Sequence, residues 1–359
     1  MDSKAAEMTR VTKSSKPHAA SPAVDLVALA ECVERFASMT VVVLGDFVAD
    51  VFESGEISRV SREAPVLILR HRKVEIVPGG GANSANNFVS LGAKVVPVTA
   101  VGDDETGNAL IQVFHEKKVD VRGILKVPGW TTPTKKRFLA GWAHTVGQQV
   151  LRVDYEPSGD IPEGVRKKLR MLVKSALKKA NALAISDYGF GVAPPVEVRQ
   201  VARLKKGIPV TLDSRYRLTE FAGTGVTAAT PNEPELEALH HTRIGRNLVE
   251  LERCGSQTRS KMKLDSLLVT RGSDGMALFQ TGAETIHVPV HGSDQAVDVT
   301  GAGDTVLAAF TLALACGTSA LEAAHIANIA GGLVVMKRGT STVSREELSE
   351  AIRRAASGS

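Results

Sequence analysis

A glycine-rich segment near the C-terminus, DVTGAGDT at residues 298–305, is followed directly by an apolar run with helical periodicity. Gly301, Ala302 and Gly303 are small enough for the backbone N–H groups of a helix start to approach a phosphate, whose charge the helix dipole favours. Asp304, in the first turn of that helix, can accept the proton of an attacking hydroxyl. The alternative is a turn in which Asp304 only caps the helix. The length and the late position of the segment favour the chemical interpretation.

A second glycine-rich segment, PGGGANSANN at residues 78–87, lies upstream. At a strand-to-helix turn, Gly80 and Gly81 would let the backbone approach a ligand closely. Asn83 and Asn87 are one helical turn apart, and an amide side chain can both donate to and accept from a hydroxyl. We therefore expect both amides to face the same ligand. A plain glycine-rich loop is the alternative.

Two carboxylates follow the first predicted strand, in the segment GDFVAD at residues 45–50. A carboxylate at the carboxyl end of a strand can accept hydrogen bonds from two neighbouring hydroxyls of a sugar. Asp46 and Asp50 are therefore candidates for holding an acceptor with several hydroxyls. A surface role, or support of a neighbouring segment, is the alternative.

The elements that must position these residues alternate along most of the chain. A helix is predicted at residues 25–38 and a buried strand at residues 40–44. Further strands are predicted at residues 95–101, 182–186, 209–213, 228–230, 266–270 and 277–280, and helices at residues 164–179, 195–206, 234–240, 302–316 and 320–337. This alternation predicts an α/β fold with a mainly parallel central sheet and helices on both faces, which binds ligands at the carboxyl ends of its strands.

Residues 48–77 interrupt this alternation. They form short segments of alternating polarity without a helical pattern between them, which predicts a small β-sheet lid. Residues 25–359 are then one domain that carries the lid. Residues 1–24 are polar and lack a continuous apolar stretch, which predicts a disordered tail rather than a secretory signal, with an organelle transit peptide as the lesser alternative.

Composition excludes several classes of protein. Three cysteines without a CxxC pair argue against a disulfide framework or a zinc site and favour a reducing, cytoplasmic compartment. No stretch of about eighteen apolar residues is free of charge, so no transmembrane helix is predicted. The formal net charge of +5 is spread along the chain without a basic block among aromatic residues, so no nucleic-acid partner is expected.

The two glycine-rich segments together resemble the signatures of a known family. DVTGAGDT is similar to the second signature of the PfkB, or ribokinase-like, carbohydrate kinases, and GGGANSANN followed by SLGA is similar to the first. The resemblance implies a three-layer ribokinase-like fold and transfer of the γ-phosphoryl group of ATP to a sugar hydroxyl. It assigns the general base to Asp304, the anion hole to Gly301, Ala302 and Gly303, and the acceptor to a site with Asp50 as its main carboxylate. The acceptor-binding residues that it implies are Asp46, Asp50, Gly80, Gly81, Asn83 and Asn87.

The same resemblance extends to the nucleotide half. TPNEPE at residues 230–235 is similar to an NxxE motif, which implies that Asn232 and Glu235 orient Mg²⁺, partly through water. The alternative is that this segment only marks a helix start. VTRGSDG at residues 269–275 is similar to the family's nucleotide-side loop. The nucleotide-binding residues implied are Asn232, Thr270, Gly272, Gly275, Thr300 and Asn328. The resemblance leaves a requirement for a monovalent cation open.

Further segments are similar to the D-glycero-β-D-manno-heptose-7-phosphate kinases, the kinase part of the bifunctional ADP-heptose synthesis proteins. These segments are SRVSREAPV, KKR, QQVLRVD, SDY and GTSTVS, at residues 58–66, 135–137, 148–154, 186–188 and 339–344. The likeness implies that the acceptor is the anomeric hydroxyl of the heptose 7-phosphate and that the product is a 1,7-bisphosphate. Arg137 and Arg152, with Lys136, would then meet the phosphate of the acceptor.

The chain departs from that pattern at several places. Phe190 stands where the family has a lysine, Ser214 and Arg215 replace the last two residues of DPK, and residues 142–147 are an insertion. A kinase of ribose, fructose or adenosine, and a catalytically silent sugar- or nucleotide-binding member, therefore stay open as alternatives. An HxGH motif is absent, so we expect no nucleotidyltransferase domain here and a separate protein for that step. The exposed lid edge predicts a homodimer through the lid.

Overall fold

The computed structural model describes residues 24–142, 147–292 and 296–358. The predicted N-terminal tail, apart from its last residue, and residues 143–146 of the insertion lie outside this part of the chain.

The described residues form a central sheet, a second smaller sheet and helices around them. The strands, in chain order, are β1 (Thr40–Gly45), β2 (Phe47–Val60), β3 (Leu67–Gly80), β4 (Lys94–Gly102), β5 (Ile124–Val127), β6 (Thr134–Gly141), β7 (Gln148–Tyr155), β8 (Ala182–Asp187), β9 (Val210–Ser214), β10 (Ala228–Ala229), β11 (Ser266–Thr270), β12 (Met276–Gln280) and β13 (Ile286–Val288). The helices are α1 (Leu26–Glu34), α2 (Gly81–Ser90), α3 (Glu105–Glu116), α4 (Glu163–Leu177), α5 (Pro195–Val201), α6 (Glu233–His240), α7 (Leu248–Met262), α8 (Ala302–Ala315), α9 (Ala320–Val334) and α10 (Arg345–Ser357).

The central sheet has the order β13-β12-β11-β10-β9-β8-β1-β4-β5 within the described chain. Strands β5, β4, β1, β8, β9, β10 and β11 pair in parallel, and among the described residues only β12 and β13 at one edge are antiparallel. The carboxyl ends of the parallel strands therefore meet at one edge of the sheet. Asp46 follows β1 at this edge, and Asp187, Ser214 and Thr270 end β8, β9 and β11.

Helices cover both faces of this sheet, which confirms the predicted three-layer α/β fold. Val41 and Val43 of β1 pack into one apolar cluster with α1, α2, α8, α9 and α10. Val42 and Leu44, the alternate residues, pack into a second cluster with α4, α5 and α7. Because successive side chains of a strand point to opposite faces, this division places the sheet between two helical layers.

The second sheet has the order β3-β2-β6-β7 and extends beyond the segment in which the lid is predicted. Strands β2 and β3 form a long antiparallel hairpin, in which Phe47 pairs with Gly80 and Val60 with Leu67. Strand β6 lies parallel to β2, and β7 lies antiparallel to β6. Half of this sheet thus comes from a later part of the chain, and we call all four strands the lid.

Most helix ends are fixed by local capping. Helices α6, α9 and α10 each begin with a capping box, in which the N-cap side chain and the glutamate three residues later bond to each other's backbone N–H. Gly317 follows α8 with a φ of 84°, the left-handed conformation expected after a helix C-terminus. None of the helices in the described residues combines the length and apolar character that crossing a bilayer requires.

Candidate functional site

The start of α8 leaves an open backbone at the edge where the parallel strands end. Gly301 is the N-cap residue with a φ of 79°, and a Cβ atom there would lie 2.6 Å from Nδ2 of Asn83. A Cβ atom at Gly303 would have no neighbour within 4 Å. The first N–H groups of a helix have no partner within the helix, so those near Gly303 can donate to an anion from the open side.

Asp304 is buried directly behind this backbone, with 5% of its surface exposed. Asn83 Nδ2 donates to Asp304 Oδ2 at 2.7 Å, and Ser84 Oγ donates to Oδ1 at 2.5 Å. Burial raises the pKa of Asp304 to about 6, and the hydrogen bonds from Ser84 and Asn83 limit this rise. The carboxylate is therefore ionised at neutral pH, yet it is more basic than an exposed aspartate.

The two asparagines of the first glycine-rich segment lie between α2 and α8. Asn87 Nδ2 donates to the backbone oxygen of Asn83 at 3.0 Å, and Thr305 Oγ1 donates to Asn87 Oδ1 at 2.7 Å. Asn83 in turn holds Asp304, and both asparagines are fully buried. Their amides therefore connect the two helices that form the site. Sequence reasoning missed Ser84, although it adjoins Asn83 in the same motif.

Asp46 is buried and bonded to backbone. Its carboxylate accepts hydrogen bonds from the backbone N–H groups of Tyr188, Phe190 and Val192, at 2.8, 3.0 and 2.9 Å. Burial and the charge of Asp187 raise the pKa of Asp46 to about 6. These contacts fix the loop that follows β8, which forms one wall of the cavity described below.

Asp50 lies at the base of the lid, with 6% of its surface exposed. Arg137 Nη1 contacts Asp50 Oδ1 at 2.5 Å, and the Arg137 guanidinium lies 5.3 Å from the ring centroid of Phe52. Gly79 leaves room for this carboxylate, because a Cβ atom there would lie 2.4 Å from Asp50 Oδ2. Two strands of the lid and one glycine thus fix the position of Asp50.

The register of the lid places the charged side chains in rows on one face. Asp50 pairs with Lys135, which pairs with Asp154, and Phe52 pairs with Arg137, which pairs with Arg152. Residues directly opposite each other share a face of the sheet. This face borders a cavity of about 500 Å³, whose lining includes Lys135, Arg152, Tyr188, Phe190, Arg215 and Arg217.

The charges around this cavity are only partly balanced. Arg152 pairs with Asp154 at 2.9 Å, and Arg217 pairs with the buried Asp187. In the described chain, no carboxylate lies within ion-pair distance of Lys135 or Arg215. Burial and the charge of Arg215 lower the pKa of Lys135, whose Nζ lies 5.5 Å from the ring centroid of Tyr188. Two cations of the cavity thus have no ion-pair partner among the described residues, although Asp154, Glu156 and Asp160 also line it.

Asn232 and Glu235 form the capping box of α6. Asn232 Oδ1 accepts from the Glu235 backbone N–H at 2.8 Å, and Glu235 Oε2 accepts from the Asn232 N–H at 3.0 Å. Burial raises the pKa of Glu235, and burial with the charges of Glu235 and Asp304 raises that of Asp213. Asp213, at the end of β9, was not among the predicted site residues.

These carboxylates fit a hydrated divalent cation. A cation beside Asp213, Glu235 and Asp304 would relieve the repulsion that raises the pKa of Asp213. Among the described residues, no group of three or more His, Cys, Asp or Glu side chains forms a complete metal site. Mg²⁺ suits such a place, because it keeps several waters and is bound by few carboxylates together with phosphates.

The loop after β11 is held by its own glycines and by α6. The Thr270 backbone N–H donates to the Pro231 oxygen at 3.0 Å. Gly272 and Gly275 have φ values of 55° and 76°, and a Cβ atom at Gly275 would lie 2.1 Å from the Val288 oxygen. These two positions therefore require glycine, which explains the spacing of the motif.

The remaining predicted nucleotide residues lie around α8 and α9. The Thr300 backbone N–H donates to Asp298 Oδ1 at 2.9 Å, and the Gly339 N–H donates to Asp298 Oδ2 at 3.0 Å. Asn328 Nδ2 donates to the Pro289 oxygen at 2.7 Å, which fixes the chain that follows β13. Asp298 and Asn328 thus hold the backbone segments beside α8 and α9.

Comparison with known proteins shows the family of this chain. The model of the pfkB family carbohydrate kinases matches residues 39–347, and the chain belongs to that family. It is therefore a phosphotransferase with an alcohol group as acceptor, an ATP-dependent sugar kinase.

The similar curated proteins are longer than this chain. It is 39% identical over 310 residues to the bifunctional protein HldE of Geobacter metallireducens, which covers 85% of this chain and 61% of that protein. It is 39% identical over 328 residues to the bifunctional protein HldE of Haemophilus influenzae, which covers 90% of this chain and 66% of that protein. The chain thus spans less than two thirds of the length of these relatives.

Solved structures share the fold. A structure of Arabidopsis thaliana ribokinase complexed with ribose and ATP has a TM-score of 0.68 and 22% identity, and the match covers 88% of this chain and 98% of that one. Phosphofructokinase-2 from Escherichia coli in complex with potassium has a TM-score of 0.69 and 20% identity, and the match covers 89% and 99% of the two chains. At these identities the likeness supports the ribokinase-like fold alone.

Proposed function

We propose that this kinase phosphorylates the anomeric hydroxyl of D-glycero-β-D-manno-heptose 7-phosphate and forms the 1,7-bisphosphate, a step of ADP-heptose biosynthesis. The observation that carries the proposal is the cavity under the lid, where Lys135 and Arg215 have no carboxylate partner in the described chain. The motifs shared with heptose-phosphate kinases and the similarity to the HldE proteins support it.

In this proposal Asp304 is the general base. The acceptor hydroxyl approaches along the open side of α8 and gives its proton to the buried carboxylate, which Asn83 and Ser84 hold by both oxygens. The N–H groups of Gly301 and Gly303 donate to the phosphoryl group during transfer, whereas the Ala302 N–H donates to the Val299 oxygen at 3.2 Å and shapes the turn. The fold contributes to the rate because it holds the base and the anion hole at a fixed distance from each other.

Asp50 and Arg137 act together on the acceptor. Asp50 accepts hydrogen bonds from sugar hydroxyls, and the ion pair with Arg137 keeps its carboxylate in place. Since the Arg137 guanidinium is committed to Asp50, its role is positioning. Gly80 and Gly81 let the backbone pass close to Asp46. A Cβ atom at Gly81 would lie only 2.9 Å from the backbone oxygen of Asp46, so a larger residue would not fit there.

The phosphate of the acceptor is held by Lys135, Arg152 and Arg215. Burial and the charge of Arg215 lower the pKa of Lys135, and a dianion between the two cations relieves their repulsion. Arg152 offers a guanidinium at the cavity wall and exchanges part of its contact with the half-exposed Asp154 for the phosphate. Arg215 supplies the cation that the family pattern has as lysine.

On the nucleotide side, Asp213, Asn232 and Glu235 would hold Mg²⁺, partly through water, and the ion would supply neutralisation of charge on the phosphate oxygens of ATP. Glu235 contributes the carboxylate oxygen that its capping bond does not use. Thr270, Gly272, Gly275 and Thr300 line the phosphate and ribose path, and Asn328 lies beside the adenine.

A coupled assay of ADP release with a panel of acceptors tests the substrate. The panel contains heptose 7-phosphate, the dephosphorylated heptose, ribose, fructose, fructose 6-phosphate and adenosine, each with the wild-type protein and the Asp304→Asn variant. We expect the highest kcat/KM for the heptose 7-phosphate and no acceptor-dependent ADP release by the variant. Higher kcat/KM for an unphosphorylated sugar or nucleoside would overturn the assignment, and no turnover with any acceptor would favour a silent binding protein.

The outer face of the lid supports the proposed homodimer. Val74, Glu53, Phe138 and Leu151 form a row across the four strands, with Val74 45% and Leu151 54% exposed. A second copy that packs on this row would cover these apolar side chains.

Light scattering tests the dimer at micromolar concentration. We expect a dimer for the wild type and a monomer for Leu151→Asp, whereas Val249→Asp on the exposed face of α7 leaves the dimer intact. A fully active wild-type monomer would refute this interface. In the cytoplasm, a nucleotidyltransferase activity would then use the sugar 1-phosphate after the phosphate at position 7 is removed.

A further inference from the structure

Two of the three cysteines lie side by side, although 284 residues separate them in the sequence. Cys32 is in the last turn of α1 and is buried, and Cys316 is the C-cap residue of α8 and is half-buried. Cys316 Sγ donates to the Cys32 backbone oxygen at 3.8 Å, and the two thiols interact with each other as well. The third cysteine, Cys254, is buried in α7 within the opposite helical layer.

The surroundings make the two sulfurs chemically different. The thiol–thiol hydrogen bond with Cys32 and the charge of Arg35 lower the pKa of Cys316, although burial opposes them. This thiol–thiol contact, together with burial, raises the pKa of Cys32. Cys316 thus has the lowered pKa and is the more accessible thiol, and Cys32 lies buried behind it. Reactive cysteines combine these two properties, a favoured thiolate and access from solvent.

We infer that Cys32 and Cys316 form an oxidisable pair, a modification site that closes to a disulfide when the protein meets a peroxide. The Cys316 thiolate attacks one oxygen of hydrogen peroxide, the O–O bond breaks, and the leaving hydroxide takes a proton to form water. The sulfenic acid on Cys316 is then attacked by the Cys32 sulfur, which forms the S–S bond and releases a second water. Two thiols and one peroxide give one disulfide and two waters.

The closed disulfide joins the end of α8 to α1. Helix α8 starts with Asp304 at the site, so the cross-link anchors its opposite end. A cross-link between positions so far apart in the sequence removes much of the freedom of the unfolded chain. We therefore expect Tm to rise by about 5 °C in the oxidised protein, from the usual size of a disulfide contribution. In a reducing compartment the modification is transient, because thiol reductants reopen it.

Counting thiols in the full chain tests the inference. The protein is freed of reductant, treated with a small excess of hydrogen peroxide, denatured and titrated with a chromogenic disulfide reagent. We expect the free thiols to fall from three to one, and peptide mapping without reduction to yield a peptide that joins Cys32 to Cys316.

Matched variants identify which two cysteines form the disulfide. Cys254→Ala should fall from two free thiols to none, whereas Cys316→Ala should keep both of its thiols and show no rise in Tm. Retention of three thiols by the wild type, over-oxidation of Cys316 without a cross-linked peptide, or a cross-link that includes Cys254 would each overturn the inference. The mapping of the unsubstituted chain decides the question even if a variant folds poorly.

Discussion

The start of α8 and the inner face of the lid handle charge in opposite ways. Asp304 is held by the neutral side chains of Asn83 and Ser84 and is almost fully buried. In the lid, Arg137 pairs with the buried Asp50, and the more exposed Arg152 pairs with Asp154, so that cations and carboxylates fix one another.

The difference separates chemistry from recognition. Neutral hydrogen bonds leave the negative charge of Asp304 uncompensated, so its pKa stays raised and it can accept a proton. Ion pairs in the lid neutralise their members, which suits side chains that orient a ligand. Substitutions at the start of α8 should therefore change turnover, and those in the lid should change the affinity for the acceptor.

The largest effect is expected at the base. Asp304→Asn should lower kcat by about 10²–10⁴, the usual contribution of a general base, because the amide cannot accept the hydroxyl proton. The affinity for ATP should change little, as measured by calorimetric titration with a non-hydrolysable analogue. A variant that keeps half of the wild-type turnover would remove Asp304 from the mechanism.

The next effect separates the arginines of the lid. Arg152→Ala and Arg215→Ala should each lower kcat/KM for the heptose 7-phosphate about ten- to hundredfold, the loss of one charge-assisted contact, and leave the KM for ATP unchanged. Arg137→Ala should lower kcat/KM equally for the phosphorylated and dephosphorylated heptose, because it positions Asp50.

Lys136→Ala is the matched control, since Lys136 pairs with Glu53 on the other face of the lid. It should change kcat/KM less than about twofold, as expected for a partly exposed ion pair. Equal losses on both sugars for Arg152→Ala and Arg215→Ala would mean that these cations are structural, and the heptose-phosphate assignment would then rest on resemblance alone.

The raised pKa of Asp304 predicts the acid limb of the pH profile. The base must be ionised, so kcat/KM should fall about tenfold for each pH unit below about 6 and level off above it. Ser84→Ala removes a hydrogen bond that lowers this pKa, so its limb should move to higher pH. A limb that stays in place in Ser84→Ala would show that another group controls it.

The smallest effect is expected at the capping box of α6. Asn232→Ala should cost about 1 kcal/mol of stability, the usual value for an N-cap, and should also raise the Mg²⁺ concentration for half-maximal activity. Ser319→Ala removes the equivalent cap at the start of α9, and Ser319 is not among the residues proposed to bind Mg²⁺. Thermal unfolding should show similar losses for both, whereas only Asn232→Ala should change the Mg²⁺ dependence. If the wild type and Asn232→Ala have the same Mg²⁺ dependence, the NxxE segment only marks the start of a helix.

Local patterns allowed much of the fold to be predicted. Strand β11 has the predicted bounds, and β8, α6 and α8 differ by one residue at an end, because buried runs and capping signals are encoded in neighbouring residues. Helices α3, α7 and α10 were not predicted. Helix α7 is largely polar, and which of its residues are buried becomes clear only from its packing on β11 and β12.

The lid and the cavity depend on pairings that the sequence does not reveal. Strand β6 lies parallel to β2 although more than seventy residues separate them, and this register alone brings Lys135 and Arg137 beside Asp50. The contacts of Asp46 with the backbone of residues 188–192 are equally non-local. Motifs therefore located the chemistry, while the partners of each side chain required the structure.

Strand β3 continues directly into α2, and this continuity bears on the hydrolysis of ATP when no acceptor is bound. Strand β3 ends at Gly80 and α2 begins at Gly81, so the chain that forms the lid holds Asp304 through Asn83 and Ser84 only a few residues later. A rotation of the lid about Gly80, whose φ is 52°, must alter the hydrogen bonds on the base. A lid position that displaced Asn83 or Ser84 would misalign the carboxylate for any nucleophile, water included, so the same backbone that admits the sugar would restrain hydrolysis of ATP when no acceptor is bound.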